Sequence, residues 1–334
     1  MSNEMNPQGS EDFKNKLEQE AKLLAVKEEQ LFSTTKTPVT AEDASAVTSL
    51  GKAEKYKVHE DTTNLAADLG WKNVPLENLP SQGFFYETGT QVAIRAATVA
   101  EIRHWSTIDE NDLLGIDDML NFIIEKCCRI KVPGKPGSYK DIIEIDRFYL
   151  IFAIRDITFK NGENRIYINA SGEDGVEEKV EVTKDVINYF NPDERLMKYY
   201  SSEDRCFKIN MKNGEAFNIY MPTLGTVLFI KNFLKSKQQA GQTFDKAFTK
   251  YASFLFPDWK SVNQSTYDKA VQESYSWSLL KISVMDKLIE ILSSSIKPQV
   301  RYYDGGGQEA TAPLNFPGGI KSIFLISDIF GELV

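Results

Sequence analysis

From Trp71 onward, hydrophobic and polar positions follow two rhythms, one alternating and one close to the helical repeat of about 3.6 residues. Leu79-Pro80-Ser81-Gln82-Gly83 carries turn chemistry, and the apolar-centred run at 91–95 predicts a strand after it. Thr98 followed by Glu101 has capping-box spacing, so a short helix is expected from there through Trp105. A second helix is expected over 117–130, because Met119, Leu120, Ile123, Ile124 and Cys127 fall on one face. Residues 131–139 hold two prolines and two glycines and read as a loop. Residues 141–155 read as a strongly apolar helix, and 165–168 as a strand.

Further on, Asn191-Pro192-Asp193-Glu194 combines a capping Asn, a first-turn Pro and two acids suited to the positive end of a helix dipole. The runs 207–210 and 216–221 flank Lys212-Asn213-Gly214-Glu215, and Asn-Gly between alternating segments is the clearest hairpin signal in the chain. The last third is expected to be helical over 243–256 and 265–295, with a second hairpin turning at Asp304-Gly305-Gly306-Gly307. Strands and helices do not alternate regularly, which argues against a doubly wound sheet. The predicted class is α+β, with helices and short antiparallel β-hairpins behind an extended or disordered N-terminal arm.

Residues 1–70 set that arm apart. They hold 8 lysines against 13 acidic residues, and their only aromatics are Phe13, Phe32 and Tyr56. Such a composition buries too little apolar area to offset the entropy of ordering. Leu17, Leu24 and Leu31 recur every seven residues, which leaves two readings open: a transient solvated helix, or a helix that docks on a partner through those leucines. The expected organisation is an acidic flexible arm over 1–70 and a globular region over 71–334, with a further sub-division open near 171–205.

Charge narrows the partners. The 334-residue chain carries a formal charge of -9, and no two Lys or Arg residues are adjacent. A phosphate backbone or an anionic membrane surface wants clustered cations, so neither nucleic acid nor membrane is expected as a partner. Cys127, Cys128 and Cys206 are a poor disulfide framework, and reduced thiols in a cytoplasm are expected. No signal pattern opens the chain, and the longest apolar run, 148–154, ends at Arg155, far short of the roughly 20 residues that span a bilayer.

Candidate chemistry is sparse. His59 lies in the polar arm and His104 beside Trp105, where a lone helical His reads as a packed or surface residue. Adjacent Cys127 and Cys128 would point apart in a helix and cannot chelate one metal together without strain. No Gly-x-Ser-x-Gly elbow is present, and Gly305-Gly306-Gly307 lacks the Lys and the helix of a phosphate loop. The acid pairs Asp109-Glu110, Asp117-Asp118 and Glu177-Glu178 read as solvated faces. The expectation is therefore no enzyme, no catalytic residue, no cofactor, no metal and no small-molecule substrate.

What remains is interaction. The aromatics Phe84-Phe85-Tyr86, the stretch 254–259, and the apolar tail 320–334 with Phe324, Ile326 and Phe330 can each serve core or interface. The tail is too apolar to stay in water and must pack on this chain or on a neighbour.

Two stretches carry a family likeness. The first is Leu79, Pro80, Ser81 and Gly83, then Tyr86, an outgoing strand ending in Arg95, and a helix begun by Thr98 with Glu101. The second is Asp146, Leu150, Ile154 and Arg155 before Gly162. Together they resemble the baseplate protein family of T4-like contractile-tailed phages, which covers hub subunits and hub-assembly factors. That resemblance implies a virion component of the tail baseplate hub, made and assembled in host cytoplasm, whose partners are other phage tail and baseplate proteins. A hub-assembly chaperone absent from the mature virion is the alternative, and a cell-wall hydrolase a more distant one.

Overall fold

Gln91–Ile94 does form a strand, and it is the central one of the first sheet. In the computed structural model, residues 70–159, 165–171, 177–190, 194–304, 306–316 and 319–325 are described, all within one compact unit, Thr62–Val334. The arm with Leu17, Leu24 and Leu31 lies outside the described residues, as do Gly162, Ile326 and Phe330. The fold is α+β, with eight helices and short antiparallel sheets among the described residues.

Strands β1 (Lys72–Val74), β2 (Gln91–Ile94) and β3 (Cys128–Lys131) pair antiparallel in that order. The register sets Val74 beside Val92 beside Ile130, and Ile94 beside Cys128, so one face of the sheet is apolar and buried. Helices α1 (Val99–Trp105) and α2 (Leu113–Cys127) join β2 to β3. Thr98 caps α1 with both halves of the capping box formed. The helix expected over 117–130 thus stops at Cys127. Cys128 and Ile130 alternate inward against β2, and sheet pairing overrides the helical rhythm there.

The apolar stretch after the loop also departs from expectation. Residues 141–146 are not helical throughout; 3-10 turns at Tyr139–Asp141 and Glu144–Asp146 precede helix α3, Arg147–Thr158. Backbone bonds hold the intervening segment elsewhere: Glu144 donates to the Pro222 carbonyl, and Leu224 donates to that of Ile142. Helix α3 buries residues all round its circumference, from Arg147 and Tyr149 to Ile154 and Arg155, which marks it as the central helix of the core.

A hairpin of β4 (Tyr167–Ser171) and β5 (Glu177–Glu181) follows, then the one-turn helix α4 (Glu194–Met197). The second three-stranded sheet runs β6 (Tyr200–Ser201), β7 (Cys206–Asn210) and β8 (Ala216–Tyr220) in that order. Its β7–β8 turn is the predicted Asn-Gly hairpin, with Gly214 at φ 86°, where a side chain would be strained. Helices α5 (Leu224–Gln239), α6 (Lys246–Ala252), α7 (Gln264–Ser274) and α8 (Leu279–Ile296) form the helical third. The long helix expected over 265–295 is two helices, because Ser278 turns its side chain to the Lys281 N–H and caps α8. Strands β9 (Gln299–Tyr303) and β10 (Glu309–Pro313) make the second predicted hairpin. No helix among the described residues is long and apolar enough to cross a membrane.

Candidate functional site

The segment 79–86 turns sharply. Gln82 and Gly83 both adopt positive φ, at 51° and 78°, and a Cβ on Gly83 would meet the Leu76 Cβ at 3.1 Å. This turn aims the Ser81 N–H and hydroxyl, together with the Tyr86 phenol, at one point. That point is the Asp146 carboxylate, fully buried at the end of the 3-10 turn before α3. Ser81 N donates to Oδ1 at 2.7 Å, and Ser81 Oγ and Tyr86 OH each donate to Oδ2 at 2.7 Å. The Tyr86 oxygen in turn accepts the Ile143 N–H at 3.1 Å.

Burial pushes the Asp146 carboxyl up to about 6, against the pull of the Ser81 and Tyr86 bonds. Tyr86 is raised as well, first by burial and then by the Asp146 charge. The surrounding turn is anchored on a third segment. The Phe190 N–H donates to the Pro80 carbonyl at 2.8 Å, and the Gln82 amide donates to the Phe190 carbonyl at 2.9 Å. Leu79 is fully buried, and Phe85 packs edge-on against Phe190 and Tyr200.

A second polar cluster starts at Arg147, one residue after Asp146, and Glu144, two residues before it. Arg147 pairs with Glu144 at 2.7 Å and with Asp117 on α2, and it reaches Asn121. Lys231 on α5 bridges Asp117 at 2.9 Å and Asp118 at 3.3 Å. Burial raises the Glu144 carboxyl to about 7 despite Arg147, and among the described residues its Oε2 has no hydrogen-bond partner. Burial pushes Asp117 up as well, but Arg147 and Lys231 outweigh it and hold that carboxyl below its ordinary value. The Asp117-Asp118 pair, expected on a solvated face, is therefore half structural. Nothing in residue spacing marked Arg147 and Lys231 as its partners; only the three-residue step from Glu144 to Arg147 is local.

The remaining residues of the family-like stretches take scaffolding places. Arg95 grips Glu101 through both guanidinium NH groups, at 2.9 Å from NH1 and 2.5 Å from NH2. That bond, more than any other contact, lowers Glu101 to about 2. Arg155 is buried with a long ion pair to Asp156 at 3.7 Å and lies over the Phe159 ring; among the described residues its Nε and one NH group have no hydrogen-bond partner. Phe324 is buried in this chain, edge-on to Trp105 with ring centres 5.0 Å apart. Its reading as an interface residue is replaced by a core position, because the Lys321 carbonyl accepts the Trp105 indole N–H and draws the segment in. Of Phe84-Phe85-Tyr86, only Phe84 stays exposed, while Phe254 and Phe256 are buried.

The chemistry open to these groups is limited by access. Burial raises Cys127 to about 12 and pushes Cys128 up further, so both are thiols at neutral pH and poor nucleophiles. His104 packs against Phe122 with the rings tilted and their centres 4.4 Å apart. Among the described residues, no group of three or more His, Cys, Asp or Glu side chains could hold a metal ion. Ser81 and Asp146 are fully buried, and of the junction only Tyr86 and Ile143 border a cavity; what the junction does is lock three chain segments, 79–86, 143–147 and 190, into one arrangement. No family model, no curated protein and no solved structure matches this chain.

Proposed function

We propose that this chain is a structural protein of a phage tail baseplate hub that acts by binding other tail and baseplate proteins, without enzymatic activity. The observation that carries the reading is the meeting of the two family-like stretches at Asp146. Ser81 and Tyr86 of the first stretch bind the Asp146 carboxylate of the second, so three of the residues that carry the resemblance form one physical unit. A scaffold made rigid by a buried carboxylate with both oxygens hydrogen-bonded suits a part that must hold its shape while neighbours assemble on it. Nucleic acid, membrane and small molecules have no place in this reading, and the site of action is the virion tail, assembled in host cytoplasm.

Mass spectrometry of purified mature tails tests the proposal. A fixed stoichiometry with hub proteins supports a hub subunit. Presence only in assembly intermediates replaces that reading with an assembly chaperone. Absence from both, with a cleared band in a cell-wall zymogram, replaces it with a hydrolase.

A further inference from the structure

We infer that the outer edge of β8 is a strand-addition site, which takes an extended, acidic-and-apolar segment of another protein as a fourth strand of the second sheet. The inference does not depend on which assembly supplies that segment. It starts from the hydrogen-bond register. Met211 N–H donates to the Glu215 carbonyl, and Lys208 N–H donates away from β8 to Tyr199. With the pairing Ile209↔Phe217 and Phe207↔Ile219, this makes Phe217 and Ile219 the residues bonded to β7. The N–H and C=O groups of Ala216, Asn218 and Tyr220 therefore point outward. The Tyr220 N–H is taken by the Phe254 carbonyl, which confirms the direction. Ala216 and Asn218 are exposed, and among the described residues no strand pairs with that side of β8.

An open strand edge would ordinarily be shielded by a charge, a proline or a covering loop. Here Phe254 covers the edge at Tyr220, while the part at Phe217 and Asn218 borders a groove of about 380 Å³ between β8 and helices α7 and α8. Its apolar lining includes Phe217, Leu255, Trp277 and Met285. Backbone groups spaced along a strand demand an extended occupant, and the groove offers alternate side chains of that occupant an apolar seat. Charge sets the second requirement. Lys269 is paired with Glu273 at 3.7 Å, but the Lys281 ammonium rests on the Trp277 and Phe217 rings, 4.8 and 5.5 Å from their centres, and makes no ion pair among the described residues. Glu215 is hydrogen-bonded to Ser278 and Asn213; the Lys281 charge acts on its carboxyl only as a lesser influence, without an ion pair. An acidic side chain of the occupant supplies Lys281 with its carboxylate.

The test uses the full chain and a capped nine-residue peptide alternating Val or Phe with Thr and Glu, read by residue-resolved amide exchange. The peptide is expected to slow exchange at Ala216 and Asn218, while Phe217 and Ile219, already bonded to β7, change little. Asn218→Pro removes one outward N–H and no bond to β7, so it should weaken peptide binding at least about tenfold at an unchanged unfolding midpoint. Where that variant fails to fold, Lys281→Glu serves: it should weaken the Glu peptide and favour a version with Lys in place of Glu. No protection at about 1 mM peptide, equal binding by Asn218→Pro, or no change of charge preference in Lys281→Glu overturns the inference. So does protection already present in the free chain together with a dimer in sedimentation, which would assign the edge to a second copy.

Discussion

Ser81 and Asp146, 65 positions apart in the chain, are joined twice: the Ser81 N–H and the Ser81 hydroxyl each donate to the Asp146 carboxylate at 2.7 Å. With the Tyr86 phenol as third donor, both oxygens of the carboxylate are hydrogen-bonded inside the core. Removing the acceptor strands three buried donors, each of which costs roughly 1–3 kcal/mol when left unsatisfied. Asp146→Ala should therefore lower stability by about 3 kcal/mol or more. Ser81→Ala, which removes one donor to a charged group and leaves the backbone bond, should cost roughly 1.5–3 kcal/mol. Urea denaturation of the three proteins checks this; equal midpoints would show that the junction does not hold the fold.

The same region sets an unusual pH response. Burial raises Glu144 from 4.5 to about 7 and Asp146 from 3.8 to about 6. Between the unfolded and folded values the folded chain binds more protons than the unfolded one, so these two groups make stability fall as pH rises through that window. Glu101 and Asp117 act the other way. Their carboxyls are held low by Arg95 and by Arg147 with Lys231, so their contribution is present above the unfolded value and lost as pH falls, toward about 2 for Glu101. Thermal midpoints should accordingly rise from pH 7 to pH 5 and drop below pH 4. Glu144→Gln should flatten the upper limb and leave the lower one. A midpoint that falls steadily from pH 7 would contradict the assignment.

Much of this was legible in the chain. Turn, cap and hairpin signals act over a few residues, so Gly83, the Thr98–Glu101 box and the Asn213-Gly214 turn were readable where they stand. The misplaced elements are those decided at long range. Cys128 reads as the next turn of a helix until β2 offers it a ladder, and 141–146 reads as helix until Tyr86 claims the Ile143 N–H and Thr223 bridges Ile143. The Asp146 junction itself was visible only as a list of residues in two resembling stretches. Their convergence, and the Glu144–Arg147–Asp117–Lys231 cluster beside it, follow from packing that no local pattern encodes.

Thr98 offers a clean local test. Its hydroxyl accepts the Glu101 N–H at 3.3 Å, and the Glu101 carboxylate accepts the Thr98 N–H at 2.7 Å. Thr98 is exposed, so replacing it disturbs no packing. Thr98→Ala should cost about 1 kcal/mol, the usual loss for a cap, while Thr98→Ser should cost much less. Thermal unfolding of both variants decides it; matching losses would mean that the box contributes through packing rather than through the hydroxyl.

The C-terminal segment provides the last prediction. The turn Ile320–Ile323 is tied to the body at two points: Trp105 Nε1 donates to the Lys321 carbonyl at 3.2 Å, and the Lys321 N–H donates to Glu110 at 2.9 Å. Ile323 and Phe324 then fill the core beside Trp105 and Phe159. Truncating a buried Phe to Ala typically costs about 3–5 kcal/mol, since the lost transfer energy is joined by a cavity that the neighbours only partly close. Phe324→Ala should therefore lower the unfolding midpoint far more than Glu110→Gln, which weakens one exposed contact. Removal of 320–334 should take away the whole plug, expose Trp105 to water, and shift its fluorescence to the red together with a lower midpoint. A shortened chain that stays folded at wild-type stability with Trp105 still buried would mean that this segment is dispensable to the core and free to serve a neighbour.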